Sequence, residues 1–236
     1  MDESFRVEYQ NELNKVWHWY DDKFKDGLIY QSSFSDWQDT TNREGYTFLL
    51  NLFYYMAGTA LGKDLEGLKK KIKESFFDGK VFLSLKSYGQ VSVEGNLFAI
   101  LDENFLTTEE KEALWENLKS HPIIALDQAI GRCSYPDWPS HDLAWHIKLA
   151  NLKRYHGSLS WSWLMGLGLK TCLYMNDQKM LEMQLAHIEK LLLRDGEVYE
   201  VYDPEKNFLP WGSWLIKSEH PFAWGAGYLV HAFKLI

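Results

Sequence analysis

Two segments of this 236-residue chain are apolar on nearly every helical face, and they decide most of what it can fold into. They cover residues 46–61, interrupted by Asn51, and residues 158–174. A helix with no polar face must be wrapped by other elements. Each is followed by an amphipathic segment suited to wrap it, the lysine-rich 65–77 and then 177–193. Residues 93–101 read as a shorter buried helix. The helix after it opens at Thr107-Thr108-Glu109-Glu110, a Thr cap with acids in the first turn, and runs to about Ser120. Residues 3–24 and 142–152 have helical spacing, and 222–235 form a last apolar helix. Asp26-Gly27 reads as the close of the first helix and Asp78-Gly79 as the end of the lysine-rich segment 65–77. Residues 81–93 and 194–220 read as loop or short β structure. The rhythm of inner helix, outer helix and long loop predicts one all-α domain over 1–236, an α/α toroid. No alternation of strands with helices appears, so a parallel sheet is disfavoured.

Charge and cysteine usage narrow the partners. Lys plus Arg total 25 against 33 for Asp plus Glu, a net charge of −8. The densest basic stretch, 69–73, reads as one solvated helix face, so no nucleic-acid partner is expected. Cys133 and Cys172 have neither metal spacing nor a disulfide pattern, which fits a reducing, cytoplasmic setting. The first residues, Met1 to Arg6, do not read as a signal peptide. The longest uncharged runs, 46–62 and 157–169, fall short of the roughly 18–20 apolar residues of a membrane span. The histidines are scattered, and Gly166-Leu167-Gly168 sits inside an apolar helix, where close packing explains it better than phosphate binding. Neither metal nor cofactor is expected.

Aromatic residues make up 16% of the chain, with 11 Trp against 6 Pro. That load implies an aromatic core, or a cleft that stacks a flat ligand such as a sugar, a base or another aromatic. Three loops concentrate the candidate chemistry. Residues 35–45 place Asp36 and Asp39 around Trp37, with Arg43 following; a solvated loop with a capping Asp is the plain alternative. Residues 155–163 carry His156, Trp161 and Trp163 into an apolar helix, the two Trp on opposite sides. Residues 195–203 set Glu200 between Tyr199 and Val201, apolar neighbours that raise a carboxyl pKa by desolvation.

In this order and between such helices, the loops resemble the catalytic half of the glycogen-debranching amylo-α-1,6-glucosidase family, six-hairpin glycosidases with an (α/α)6 barrel. Trp37-Gln38-Asp39 followed by Arg43-Glu44-Gly45 is similar to that family's acid loop. Val93-Glu94-Gly95-Asn96 is similar to a helix start, and Tyr155-His156-Gly157-Ser158-Leu159-Ser160-Trp161-Ser162-Trp163 to its Trp-x-Trp stretch. Glu200-Val201-Tyr202-Asp203 and Ala223-Trp224-Gly225-Ala226 are similar to its base segment and last helix start. The resemblance implies a hydrolase acting on α-glucoside linkages of an oligo- or polysaccharide with inversion, Asp39 the general acid and Glu200 the general base. It implies substrate contacts from Asp36, Trp37, Arg43, Asn96, His156, Trp161, Trp163 and Trp224, with Asp36 the backup acid. Asp39 must be protonated to work, so its site is expected to be drier than that of Glu200, or close to another carboxylate such as Asp36. The alternatives are a non-catalytic carbohydrate-binding homologue on this scaffold and a trehalase-like or processing-glucosidase-like enzyme. About nine helices are legible where the full barrel has twelve, so a partial barrel is expected, completed by a partner chain or an upstream segment.

Overall fold

Asp26-Gly27 is a hairpin turn. Both residues have positive φ (51° and 79°), the geometry of the two-residue loop whose twist matches paired strands. It joins β1 (Phe24–Lys25) to β2 (Leu28–Gln31), and β2 pairs in turn with β3 (Gly45–Tyr46). The computed structural model describes residues 3–85, 88–150, 152–213 and 215–236. Met1 and Asp2 of the terminus that does not read as a signal peptide, Lys86 and Ser87 of segment 81–93, Asn151 of the helix expected over 142–152 and Trp214 of segment 194–220 lie outside the described residues.

The first expected helix is two, α1 (Glu3–Glu8) and α2 (Gln10–His18). The inner–outer rhythm then appears as read: α3 (Phe48–Ala60) with α4 (Glu66–Phe76), α5 (Val93–Leu101) with α6 (Thr108–Ser120). Helix α6 carries the full capping box between Thr107 and Glu110. The long loop 121–141 holds one short helix, α7 (Pro122–Ala125), and of residues 142–152 only α8 (Trp145–Leu149) is α-helical. Strand β4 (Ser160–Trp161) leads into α9 (Ser162–Tyr174), which packs against its outer partner α10 (Gln178–Asp195). Strands β5 (Val201–Asp203) and β6 (Leu209–Pro210) precede α11 (Ala223–Phe233). Helix α5 touches α3 on one side and α9 on the other, and α9 touches α11. One hydrophobic core runs through all of them, from Leu28 to Ala232.

Amide side chains lock the apolar helices to extended segments. Asn51, the residue that interrupts the first apolar run, accepts from the Ile29 N–H at 2.7 Å and donates to the carbonyls of Ile29 and Thr47. Asn96 repeats this in α5, accepting from Phe82 N–H at 2.8 Å and donating to the Phe82 and Ser92 carbonyls. Gln184 of α10 treats Ile130 the same way. Each amide satisfies backbone groups that burial would otherwise leave unpaired.

The all-α expectation, and with it the toroid, is overturned. About 52% of the chain is helical, and two antiparallel three-stranded sheets, β1-β2-β3 and β4-β5-β6, make it a mixed α and β structure. The strands have two to four residues, too short to show alternation, and β4 continues an apolar run that reads as helix. Both sheets serve loops: the first brackets residues 32–44, and the second joins Trp161 to Val201. Among the described residues, no helix is long and apolar enough to cross a membrane.

Candidate carbohydrate site

The polar loop after β2 is tied down at nearly every residue. Gln31 donates through Nε2 to Asp36 Oδ2 at 2.8 Å and to the Arg43 carbonyl at 3.0 Å. Asp36 also accepts from Gln38 N–H at 2.9 Å and pairs with Arg43 Nη2 at 2.9 Å. That pair closes residues 36–43 into a ring with Asp39 at its outer edge. Thr40 bonds His156 Nδ1 at 2.5 Å, and its carbonyl accepts from Ala144 N–H. Beneath the loop, Arg43 is buried against Trp138 and reaches Glu94 Oε1 at 3.7 Å.

The second loop builds an aromatic floor. Trp37 stands edge-on to four rings: His156 at 5.2 Å, Trp161 at 5.4 Å, Trp163 at 5.0 Å and Trp224 at 6.2 Å. His156 stacks on Trp161, and Trp163 stacks on Trp224 at 4.7 Å. Such pairs contribute about 0.5–1.5 kcal/mol each beyond area burial, so the cluster is a rigid unit. Trp161 and Trp163 are both buried, so neither has the exposed face expected of the one that lines a pocket. Only Trp37, half-buried, and Trp224, 42% exposed, offer ring surface to a ligand. His156 is buried too, and burial with the nearby Arg43 charge holds its pKa well below the usual histidine range, so it stays neutral.

The third loop brings in the second carboxylate. Strand pairing of β4 with β5 sets Trp161 opposite Val201, and Ser162 N–H donates to the Glu200 carbonyl at 3.1 Å. Glu200 N–H donates to the Glu219 carbonyl at 2.9 Å. Burial raises the Glu200 pKa; the charges of Glu219 and Asp39 raise it further, while the Tyr155 hydroxyl, hydrogen-bonded to the carboxylate, pulls it down. Asp39 is exposed, and its pKa is raised by partial desolvation and by the charge of Asp36, against the opposing pull of His146. Asp39 is the more exposed of the two, so the acid position does not have the drier site; the second condition, a neighbouring carboxylate in Asp36, is the one met.

The structure therefore brings Asp36, Trp37, Asp39, Arg43, His156, Trp161, Trp163, Glu200 and Trp224 to one place. It does not bring Asn96: that side chain is fully buried and its bonds go to backbone, so it acts as a loop clamp and not as a sugar contact. Arg43 is 1% exposed and ion-paired with Asp36 and Glu94, and its burial removes it from direct hydroxyl contact. Asp36 accepts from Gln31 Nε2 and Gln38 N–H and is ion-paired with Arg43, which makes it a poor backup acid. Tyr155, Gln38 and Glu94 also belong to the site or its support; they lie within the motifs quoted above but carry no role of their own there, and Glu219 lies outside those motifs. No family model matches this chain, and no curated protein does.

Proposed function

We propose that the protein is a glycoside hydrolase that cleaves α-glucoside linkages of an oligo- or polysaccharide by an inverting acid–base mechanism, in the cytoplasm. What supports this reading is that two carboxyl groups with raised pKa, Asp39 and Glu200, with the Asp39 charge felt by Glu200, lie on loops next to the Trp37–Trp224 contact. Pyranose C–H faces sit well on exposed indole rings. Asp39, held toward its protonated form by partial desolvation and by the Asp36 charge, donates its proton to the leaving glycosidic oxygen. Glu200, which Tyr155 helps keep ionised, takes a proton from the water that attacks the anomeric carbon from the opposite face. Inversion needs room for that water, a carboxyl separation of about 6.5–9.5 Å.

Asp39→Asn and Glu200→Gln are each expected to abolish hydrolysis of a panel of glucooligosaccharides, with circular dichroism and calorimetric sugar binding preserved. Near-full activity in either variant ends the assignment. Sugar binding by the unaltered protein with no hydrolysis of any linkage identifies a carbohydrate-binding protein instead.

A further inference from the structure

Helix α2 buries none of its side chains fully, yet with α3 it walls an apolar cavity of about 320 Å³. Leu13, Val16 and Trp17 of α2 line it, with Phe53, Ala57 and Leu61 of α3. Trp17 stacks on Tyr54 at 3.9 Å and ties the two helices together beside it. Val16 is 64% exposed and Phe53 41%, so the cavity opens to solvent and leaves apolar surface uncovered. A second cavity, of about 460 Å³, adjoins the first: Tyr20 and Leu50 line both. Its walls are polar. They carry Asp22, Lys23 and Lys25 from the turn at 21–23 and β1, and Ser32, Ser35 and Asp36 from the loop after β2. Asp22 pairs with Lys23 at 3.2 Å, and Lys23 also lies over the Trp19 ring at 3.9 Å. Asp36 pairs with Arg43 at 2.9 Å. Lys25 lies over the Tyr30 ring at 4.8 Å, and no carboxylate pairs with it among the described residues.

We infer that the two cavities form one groove that binds an amphipathic small molecule: an unbranched acyl or alkyl chain between α2 and α3, and a monoanionic head at Lys25. Each cavity lies within the about 300–1,000 Å³ of small-molecule sites. A wholly apolar ligand would leave the polar end unmatched, and a free sugar would leave the apolar end empty. The two carboxylates of the polar end already have cationic partners, so its one uncompensated charge is the Lys25 ammonium. A single negative charge matches it. The whole protein carries −8, so this attraction is local to the groove. The groove meets the candidate carbohydrate site only at Asp36, and the inference is independent of the hydrolase reading.

Calorimetry with octanoate, decanoate and dodecanoate, each below its micellar concentration, tests the groove in the unaltered protein. Affinity is expected to rise about fourfold per added methylene, the fold-change of burying one CH₂. Ala57→Trp fills the apolar end from an exposed position and should abolish that rise; Val16→Glu, at the exposed wall of α2, should do the same and serves if Ala57→Trp disturbs α3. Lys25→Gln should weaken dodecanoate about twofold to fivefold, the contribution of an exposed ion pair, and leave the dodecyl ether of tetraethylene glycol, an uncharged head on the same chain, unchanged. Lys148→Gln, exposed on α8, should change neither and so separates the head contact from overall charge. No saturable binding, an affinity that does not grow with chain length, or a rise that survives both Ala57→Trp and Val16→Glu overturns the site. A Lys25→Gln protein that binds dodecanoate as the unaltered one does, or that loses no more than Lys148→Gln, overturns the anionic head.

Discussion

At the scale of single residues, burial decides which polar groups meet a ligand and which hold the fold. Asp39 is exposed and Glu200 partly so, whereas Arg43, Asn96 and His156 are enclosed. Glu94 is the extreme case, a fully buried carboxyl whose pKa rises from the usual 4.5 to about 7, chiefly through desolvation. The raised folded value means stability is fully present below the unfolded pKa and is lost as pH rises through about 7. The shift corresponds to about 3 kcal/mol. Below pH 5, Glu94→Gln should therefore melt close to the unaltered protein; at pH 8 it should melt several degrees higher, because the amide bears no charge to desolvate. Thermal melts of both proteins across that range check the sign, since their difference cancels the opposite contribution of the buried, neutral His156 and His187.

At the scale of elements, glycine sets how closely the apolar helices approach. A Cβ on Gly166 of α9 would lie 2.7 Å from the Tyr228 carbonyl carbon and 2.8 Å from Leu229 N on α11. These are backbone atoms that cannot rotate away. Gly166→Ala should destabilise by about 1–3 kcal/mol, read as a lower urea midpoint at unchanged slope. Helix α11 also carries Trp224, whose stack on Trp163 crosses the same contact, so sugar affinity should fall with stability. The helices α3 to α6, α9 and α10 were legible because about two and a half to five turns of sequence repeat one pattern. The sheets were not: a two-residue strand such as β4 has no period, and its partner Val201 lies forty residues on. Asp26-Gly27 did carry a strand signal, since Asp-Gly between extended residues favours a hairpin turn, but the helical spacing upstream drew it into a cap.

At the scale of the whole molecule, the net charge of −8 and the convergence of Asp39, Glu200 and Glu219 make the ligand's own charge testable. A neutral oligosaccharide has no charge for the protein to repel and no counterions to release. Its affinity by calorimetry should be the same at low and high sodium chloride, whereas an anionic ligand would bind better as salt screens the repulsion. A marked salt dependence for the bound sugar would contradict a neutral substrate. The large exposed apolar side chains Phe53 of α3 and Val230 and Phe233 of α11 lie on helices that also build the core, so these helices are only partly wrapped by the described residues.

The sequence by itself determined the inner and outer helices and their order, because burying an apolar face is a local demand written in residue spacing. It also marked the loops rich in Trp and carboxylate. Only the tertiary structure decided that four rings gather on Trp37, that Trp161 and Trp163 are both buried, and that Asn96 and Arg43 work beneath the site. It alone placed Tyr155 on Glu200 and Glu94 under Asp39. Desolvation and charge coupling depend on which segments meet in space, and short non-local strand pairs, invisible to periodicity, bring these segments together.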